Sequence, residues 1–498
     1  MLIRVWSEAR MIKKIIFFTA IFIVSSALGL AQESRTTGMG GLSYSITDAD
    51  QSFDPYDLGK NPAWLYLDET ETWLKMMPSI NYSNGDYKRY YDPQSVTNYN
   101  LGFKGIKTLG EDGTFLGETN YSYEMRRDIN RSLKYDTYAG EAFFMADTNQ
   151  GTFRYNGPSI KFMYSFEMIP ELFVGASINY RILDGLKNVY SRASVLYREV
   201  GGTVGLAYKI SRDFSVGLTG VLSDDQEKIE AKSEELTDVE IFNFRGETYA
   251  VRKRSSAVTQ TIRKKGKGLG AQLYWTPDQN SEFGLHTELY NTKENILIPF
   301  STTTQSFQEY SEGFASFENY NILVKGRHKV SADLLIGTSF ELHHKRSWSK
   351  NPTRDLLLWE WNVNSLKLGI GSSFQIDKNI LISAEYEYEN VKADSSKYID
   401  SRLTDLLSNN HVIKAGSECE VLPNSFIRVG YNFGMIEKDI LSGGENVNYH
   451  VVTCGFGVKF LNSFDVDLSF IYNNYKPKLG DKNRSSFGSY LTTKLYSF

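Results

Sequence analysis

Apolar and polar residues alternate with a period of two along most of this chain, and this pattern restricts its fold more than any other feature. In residues 172–182 the apolar side chains fall on one face, while Gly175, Ser177, Asn179 and Arg181 fall on the other. Residues 380–388 and 464–472 repeat the pattern. Such alternation predicts strands with one apolar and one polar face. It does not by itself separate a soluble sandwich from a membrane barrel.

The lengths of the connections favour the barrel, because they alternate between short and long. Short connections are predicted at residues 167–171, 210–213, 277–280, 329–333, 376–379 and 422–425. Long ones are predicted at residues 183–194, 223–265, 291–318, 345–358 and 391–409. Tight periplasmic turns and long outer loops produce this two-sidedness in outer-membrane barrels. We therefore predict an all-β fold, a transmembrane antiparallel β-barrel of about 18 strands with long extracellular loops.

Composition and charge agree with a barrel and exclude other classes. The chain has 32 Tyr, 30 Phe and 40 Gly but 11 Pro, a balance typical of many strands and turns. Its mean hydropathy of −0.36 argues against a helical membrane protein, whereas barrels conceal their apolar face by alternation. A formal net charge of −4 gives no reason to expect nucleic acid as a partner.

The first 31 residues read as a secretory signal peptide. Lys13 and Lys14 precede an apolar run that ends in Gly29-Leu30-Ala31, with small residues where a signal peptidase reads them. We expect cleavage before Gln32 and export to the bacterial outer membrane. Met11 is the more natural start of this signal than Met1. No cysteine stands at the cleavage site, so a lipid anchor is not expected.

A glycine-rich segment and an Asn-Pro-Ala turn follow the signal, within residues 37–68. The cluster Gly38-Met39-Gly40-Gly41 permits tight backbone turns, and Asn61-Pro62-Ala63 is a turn or helix-start signal. Here the chain resembles the FadL-like outer-membrane transporters of hydrophobic compounds. It departs from them where Trp64 follows the turn and where residues 53–60 look inserted.

The resemblance implies a hatch over residues 32–72, inside a barrel of residues 73–498. It makes Gly38, Gly40, Gly41, Asn61, Pro62 and Ala63 candidates for gating. It also implies 14 strands, so a barrel of 14–16 strands is the alternative to 18. Four acidic residues of the hatch, Asp48, Asp50, Asp54 and Asp57, are expected to meet basic residues of the lumen.

The strand phase assigns further residues to the lumen, and the last strand carries an assembly signal. Arg181, Glu385, Glu387, Asp465 and Asp467 fall on the polar face of their strands and are predicted to line the lumen. Residues 490–498 alternate and close on Tyr496 and Phe498, which resembles the signal that the barrel-assembly machinery reads. Outer-membrane lipid and lipopolysaccharide are the other expected partners.

No constellation of residues predicts catalysis, a metal site or a cofactor. His343 and His344 are adjacent in a strand, so they point to opposite faces and cannot share a metal ion. Residues 81–85 read Asn-Tyr-Ser-Asn-Gly, whereas outer-membrane phospholipases carry His-x-Ser-Asn-Gly. Asn81 thus stands where the base would be. Cys419 and Cys454 are predicted to lie two strands apart, too far for a disulfide.

Two other features leave alternatives open. The longest predicted loop has an acidic half from Asp224 to Glu240 and a basic half from Arg252 to Lys267. It is interpreted as a lid or lipopolysaccharide-docking region, or as a solvated hairpin. Tryptophans at strand ends are interpreted as an interfacial girdle or as hatch packing, with Trp359 and Trp361 as a girdle pair.

Two functions remain open on the sequence. The first is a passive channel or transporter for hydrophobic small molecules, without enzymatic chemistry. The second is a structural or protein-interaction barrel that anchors or helps to secrete exported surface proteins through its long loops. No TonB-contacting segment or large plug domain is recognisable in the sequence, which disfavours energised uptake.

Overall fold

The computed structural model describes residues 55–68, 71–136, 141–232, 238–301, 307–439, 442–460 and 463–496. The described chain begins with helix α1 (Pro55–Gly59), a 3-10 turn (Pro62–Trp64) and helix α2 (Leu65–Asp68). No helix among these residues is long and apolar enough to cross a membrane. The strands that follow are β1 (Trp73–Gly85), β2 (Ser95–Thr108), β3 (Thr114–Ile129), β4 (Phe143–Ala146), β5 (Gly151–Ile169), β6 (Leu172–Lys187), β7 (Ser194–Ser211), β8 (Phe214–Lys232), β9 (Val239–Arg245), β10 (Ala250–Ser255), β11 (Ala257–Asp278), β12 (Ser281–Ser301), β13 (Phe307–Lys329), β14 (Leu334–Asn351), β15 (Leu356–Asp377), β16 (Ile380–Lys397), β17 (Arg402–Leu422), β18 (Ser425–Lys438), β19 (Glu445–Phe460), β20 (Phe464–Pro477) and β21 (Arg484–Tyr496).

Eighteen of these strands form one closed antiparallel barrel. Each barrel strand pairs with the next barrel strand along the chain, and β1 pairs with β21 to close the ring, from Trp73 opposite Tyr496 to Gly85 opposite Arg484. The prediction of about 18 strands is confirmed. The alternative of 14 strands, which the FadL-like resemblance implies, is wrong.

The barrel carries its apolar residues on the outside. Ile178, Val204 and Leu218 are 55%, 63% and 58% exposed, although they lie in the middle of their strands. On the opposite face of such strands, Glu385 and Asp467 are 3% and 7% exposed. A soluble protein would bury the first set and expose the second. This inside-out pattern is that of an outer-membrane barrel, whose apolar band faces lipid.

The predicted short turns are present and lie at one end, which we take as periplasmic because the tight turns of such barrels face that side. Four stretches that were predicted as long loops, residues 223–265, 291–318, 345–358 and 391–409, are instead mostly strand. There β12 and β13 run for 21 and 23 residues, and the turns after β14 and β16 span residues 352–355 and 398–401. The prediction failed because polar residues on both faces look the same in a loop and in a strand that has left the membrane.

Strand length divides the barrel wall into a tall and a low side. The strands from β11 to β17 have 18–23 residues, whereas β1, β2, β18, β20 and β21 have 13 or 14. A tilted strand needs only about 9–11 residues to cross a bilayer. The tall wall therefore rises well beyond the outer surface of the membrane.

The polarity of the barrel wall inverts along the height of β8, the strand that pairs with β11 at the edge of the tall wall. Within the membrane, β8 points Leu218 and Leu222 outward, but near the outer end its buried apolar residues are Ile229 and Ala231, on the inward face. Strands β4, β9 and β10 form a separate sheet, which we call the inner sheet. Its Phe143, Met145, Val239 and Ile241 pack with these residues in one buried core. The inward face is apolar there because the inner sheet covers it.

The two cysteines lie as the strand spacing predicted. Cys419 is on β17 and Cys454 on β19, with β18 between them, and both are free thiols. Each follows the outward phase of its strand, so both are small side chains on the outer surface of the barrel wall.

Candidate functional site

A cleft opens at the outer end of the lumen, between the inner sheet and the tall wall. It has a volume of about 710 Å³. Aromatic rings provide much of its lining: Tyr90, Tyr91, Phe144, Phe244, Trp359 and Trp361. Charged residues also line it: Arg131, Glu141, Glu247, Glu360, Lys397 and Arg402. A concave site with apolar walls and a few charged groups is the usual form of a small-molecule site.

Stacked rings build the inner-sheet side of this outer cleft. Phe144 of β4 and Phe244 of β9 are paired across the sheet and stack with ring centroids 4.4 Å apart at an angle of 4°. Tyr91, from the loop between β1 and β2, packs on Phe144 at 4.7 Å, and Tyr90 packs on Tyr91 at 4.9 Å. The low wall therefore contributes to the cleft through this loop, and the aromatic surface spans the barrel mouth.

The opposite side of the cleft is formed by Trp359 and Trp361, and this corrects their interpretation as a girdle pair. They share one face of β15, as predicted, but that face points inward, with neighbours Ser349 and Ser347 that are 0% and 1% exposed. Trp275 has the outward position of a girdle residue, 44% exposed and stacked on Phe283 at 5.5 Å.

A single carboxylate fastens the inner sheet to the tall wall. Asp400, in the turn between β16 and β17, accepts hydrogen bonds from the backbone N–H of Glu247 at 2.9 Å and of Thr248 at 2.7 Å. It also accepts from the Thr248 hydroxyl at 2.7 Å and from Trp359 Nε1 at 3.0 Å. Glu247 in turn pairs with Lys397 and with Arg402. We call this contact the Asp400 clasp.

Glycine is required at the tip that the clasp holds. Gly246 has φ +107°, a backbone conformation that side chains disfavour. A Cβ at this position would lie 2.3 Å from Ile399 Cγ2 and 2.8 Å from Asp400 Oδ2. The hairpin of β9 and β10 can therefore approach the wall only because position 246 has no side chain.

The clasp is expected to open in acid. Burial opposes ionisation of Asp400, but the hydrogen bonds from Glu247, Thr248 and Trp359 outweigh it and hold the pKa of its carboxyl below the usual value. A depressed pKa adds stability above the unfolded value of about 3.9, and this stability is lost as the pH falls through the folded pKa. We expect hydrogen exchange at the Glu247 and Thr248 amides, corrected for intrinsic rates, to be slow at pH 5–8 and to rise below about pH 4. In Asp400→Asn, exchange that stays slow at every pH would contradict this prediction.

Beside the cleft, a buried charge cluster joins the 130–136 loop to the barrel wall. Lys134, 4% exposed, forms ion pairs with Glu141 and, at 3.7 Å, with Glu294 of β12. Glu294 also pairs with Lys264 of β11 at 2.9 Å. Glu227 of β8 accepts the backbone N–H of Tyr135 at 2.6 Å. The outer lumen on this side is therefore filled by loop residues.

At the periplasmic end, residues 55–68 pack against inward-facing residues of the barrel. Asn61 is completely buried and donates to the carbonyls of Leu206 and Leu218 at 3.1 and 3.4 Å. Trp64 Nε1 donates to Gln272 Oε1 at 2.8 Å, and the Ser165 hydroxyl donates to the Ala63 carbonyl at 3.0 Å. The Asn61 side chain also caps the 3-10 turn by accepting the Ala63 N–H at 3.0 Å.

Three inward glycines make the notch into which the Asn-Pro-Ala turn fits. A Cβ on Gly175 would lie 2.4 Å from the Pro62 carbonyl carbon, and one on Gly205 would lie 1.9 Å from Asn61 Oδ1. At Gly217 the nearest atom would be Asn61 Nδ2, at 2.8 Å. These glycines come from the adjacent strands β6, β7 and β8, so the notch exists only in the assembled sheet.

The structure describes some of the residues predicted for the hatch and leaves others outside the described ranges. Asn61, Pro62 and Ala63 lie in the notch, whereas Gly38, Gly40 and Gly41 lie outside the described residues. So do Asp48, Asp50 and Asp54, and the side chain of Asp57 is not described. A gating role for any of them stays a prediction.

The residues predicted for the lumen all lie on inward faces, and most are paired. Lys414 forms ion pairs with Glu385 at 3.5 Å and Glu387 at 2.6 Å. Arg428, 1% exposed, lies between Glu418, at 2.7 Å, and Asp467.

Two further lumen residues bind tyrosine hydroxyls. Arg181 donates to the Tyr135 hydroxyl at 3.2 Å, and Asp465 accepts the Tyr496 hydroxyl at 2.7 Å. Tyr496 therefore faces the lumen at the periplasmic end. Its predicted partner in the assembly signal, Phe498, lies outside the described residues.

The segment compared with phospholipases forms the outer end of β1. The Ser83 hydroxyl accepts a hydrogen bond from Arg484 at 3.1 Å, and Asn81 accepts one from the Tyr490 hydroxyl. Ser83 thus lies in a polar contact between neighbouring strands. Among the described residues no group of His, Cys, Asp and Glu side chains could hold a metal ion.

The sequence did not reveal the residues that define the outer cleft and its clasp. Tyr90 and Tyr91 lie in the loop between β1 and β2, and Phe144 and Phe244 lie on β4 and β9, outside the barrel wall. The rule that apolar residues face lipid does not apply to either place. Asp400 lies in a turn where acidic residues are common. The one local signal was Gly246. A glycine there indicates a tight turn, but it does not indicate that Asp400 binds this turn.

No curated protein sequence matches the chain. Among solved structures it is similar to a FadL homologue from Pseudomonas aeruginosa, with 12% identity over 94% of this chain and 99% of that chain, at a TM-score of 0.37. It is also similar to the toluene transporter TbuX from Ralstonia pickettii (12% identity, 93% and 99% covered, TM-score 0.33). A third is the siderophore receptor PiuA from Acinetobacter baumannii (9% identity, 86% and 82% covered, TM-score 0.44). A FadL homologue is thus among the barrels that this chain is similar to, as residues 37–68 predicted.

One family model matches the sequence directly. It covers residues 62–329, from the Asn-Pro-Ala turn through β13, which is just over half of the chain. The matched region includes the glycine notch, the inner sheet and the hairpin that the clasp holds. The chain belongs to this family, DUF6850, a family of unknown function.

Proposed function

We propose that this protein is a passive outer-membrane transporter that takes up small uncharged molecules with an apolar or aromatic face. The observation that carries the proposal is the aromatic cleft of about 710 Å³ at the outer mouth. Aromatic rings on two opposing sides offer flat surfaces between which an apolar face can be desolvated. The proposal narrows the expectation of a hydrophobic cargo to molecules that fit this cleft.

The charges of the cleft support an uncharged ligand. Lys397 and Arg402 pair with Glu247, beside the carboxylate of Asp400, and Glu360 pairs with Arg346 at 2.7 Å. Burying an unpaired ion is much more costly than burying an apolar surface. A charged ligand would therefore have to break these pairs, whereas a neutral one would not.

The two ends of the lumen support a gated route. The Asp400 clasp holds the inner sheet across the outer mouth, and the glycine notch holds residues 55–68 at the periplasmic end. Neither attachment is covalent, so each can exchange between closed and open states without energy input. We propose that the protein performs no catalysis and that passage is by diffusion.

Location and assembly form part of the same proposal. The signal peptide is removed before Gln32, the barrel-assembly machinery reads the last strand, and the finished barrel lies in outer-membrane lipid beside lipopolysaccharide. The charged outer surface of the tall wall, with pairs such as Arg263 and Glu309 at 2.8 Å, is suited to the polar headgroup region.

The tall wall favours one alternative, a barrel that binds exported surface proteins. Strands of up to 23 residues present an extended surface beyond the bilayer, which a channel does not need. Deleting residues 38–67 should alter ligand passage if this segment gates a route, and should leave partner binding intact if the alternative is correct. Mass spectrometry of material that co-purifies in mild detergent separates the two: a stoichiometric small molecule supports transport, and an exported polypeptide with an empty lumen supports anchoring.

Trp361→Ala is expected to weaken the binding of benzyl alcohol, used as a neutral aromatic probe, about tenfold. Loss of one indole face removes roughly 1–2 kcal/mol of apolar burial and stacking. Isothermal titration of the purified protein in detergent measures the affinity. Trp348→Ala is the matched control, because Trp348 lies on the outward face of β14 against Phe314. Equal affinities in the two variants would overturn the cleft as the binding site.

A further inference from the structure

A second cavity of about 590 Å³ lies along the inward face of the low wall. We call it the polar groove. Its side chains come from β1, β2 and β17–β21, and the six that matter here are Asn81, Asn98, Asn432, Asn473, Ser486 and Tyr490. Among the described residues, the Asn-Pro-Ala turn packs on β6, β7 and β8, and Leu65 packs with Trp73 and Ile106 near the periplasmic ends of β1 and β2. The groove lies nearer the outer end than these contacts.

Carboxamides and hydroxyls line the groove, beside the apolar side chains of Val96, Val451 and Ile471. Asn473 Nδ2 donates to the Ser486 hydroxyl at 3.0 Å, and the Tyr490 hydroxyl donates to Asn81 Oδ1. Asn98 Oδ1 is shielded from solvent and has no hydrogen-bond partner among the described residues. A carboxamide both donates and accepts. A wall of such groups matches a solute whose own groups do the same, as sugar hydroxyls do.

The charged residues of this wall are paired with one another, so they do not favour a charged solute. Lys414 is the charged residue that lines the groove, and its ammonium group is held by Glu385 and Glu387. Nearer the periplasmic end, Arg428 is held by Glu418 and Asp467. An ion entering here would lose hydration without finding an unpaired counter-charge. An apolar solute would leave the carboxamides without hydrogen-bond partners.

We propose that the polar groove is the path of a neutral, polyhydroxylated solute, a sugar or a small glycoside. The inference rests on the proposed transport function and specifies its cargo. The outer cleft binds the flat apolar face of the solute, and the groove binds its hydroxyl groups. Selectivity of this kind, set by the donors and acceptors that line a pore, is general in channels and transporters.

The test is efflux from proteoliposomes of radiolabelled maltose and of lactobionate, an anionic sugar acid of similar size. It uses the wild type and Asp400→Ala, in which the clasp is released. We expect maltose to leave about tenfold faster than lactobionate through the wild type, through Asp400→Ala, or through both. In whichever of these proteins passes maltose, the double substitution Asn98→Leu with Asn473→Leu should slow maltose efflux about fivefold. Asn474→Leu, the same change one residue along β20 on the outward face, should leave the rate unchanged.

The other results overturn the inference in distinguishable ways. Equal rates for maltose and lactobionate, or no effect of the double substitution, would show that the groove does not select neutral hydroxylated solutes. Exclusion of both sugars while benzyl alcohol still binds at Trp361 would reject the groove but retain the proposed uptake of aromatic molecules. Exclusion of both sugars together with no benzyl alcohol binding would reject the proposed function as well.

Discussion

Asp400→Ala is expected to release the tip of the β9–β10 hairpin from the tall wall and to raise trypsin cleavage within β10 at least tenfold. The substitution removes an acceptor for two backbone N–H groups, one hydroxyl and one indole N–H. Hydrogen bonds to a charged group contribute about 1.5–3 kcal/mol each when shielded. Even after discounting for partial exposure, the loss should exceed the ~1.4 kcal/mol that corresponds to tenfold. The trypsin sites are Arg252, Lys253 and Arg254.

The rest of the inner sheet should remain attached in this variant. Glu312 of β13 still binds Arg245 at 3.1 Å and Asn243 at 3.2 Å. Release is therefore expected at the hairpin tip, residues 246–249, and not at β4. Asp355→Ala is the matched control, because Asp355 lies in the neighbouring outer turn and pairs only locally with Lys350, at 2.6 Å. Equal cleavage of the two variants would contradict the clasp.

Gly205→Leu is expected to expel the Asn-Pro-Ala turn from its notch. A Cβ at position 205 would occupy the place of Asn61 Oδ1, at 1.9 Å, and a leucine side chain cannot be accommodated in a close-packed contact of this kind. Asn61 would lose its bonds to two barrel carbonyls, and Trp64 its bond to Gln272. We expect hydrogen exchange over residues 61–68 to rise at least tenfold, and ion current through planar bilayers to increase.

The matched control for this substitution is Gly202→Leu on the same strand. Gly202 is on the outward face, and a Cβ there would have its nearest neighbour at 3.9 Å, the Ser177 carbonyl oxygen. The barrel should remain folded in both variants, because the backbone pairing of β7 with β6 and β8 does not depend on either side chain. If exchange over residues 61–68 is the same in Gly205→Leu and Gly202→Leu, the notch does not hold the segment.

Strand phase was readable from the sequence because the side-chain period of a strand is two. Arg181, Glu385, Glu387, Asp465 and Asp467 were assigned to the inward face on that basis, and all five lie there. The strand count was readable because short turns mark one end of the barrel at regular intervals. The 14-strand count implied by the family resemblance failed, since a local motif in residues 37–68 carries no information about how many strands follow.

Where the chain leaves the membrane, strand phase no longer predicts which side of the wall the apolar residues face. On β8 the apolar residues change from the outward face at Leu222 to the inward face at Ile229, because lipid covers one side below and the inner sheet covers the other side above. Trp359 and Trp361 lie in this upper region. Their shared phase was correct, but the rule that apolar residues face outward gave them the wrong side.

The sequence by itself determined a closed antiparallel barrel, its strand number and the two faces of its strands, because these follow from local periodicity and turn spacing. Only the tertiary structure decided which residues fill the outer and periplasmic ends of the lumen. The outer cleft joins Tyr90, Phe144, Phe244 and Trp361, which lie far apart in the chain, and the clasp joins Asp400 to a hairpin about 150 residues earlier. Such contacts depend on which strands become neighbours and on how connections fold back into the lumen. No local pattern of residues encodes a contact between positions so far apart in the chain.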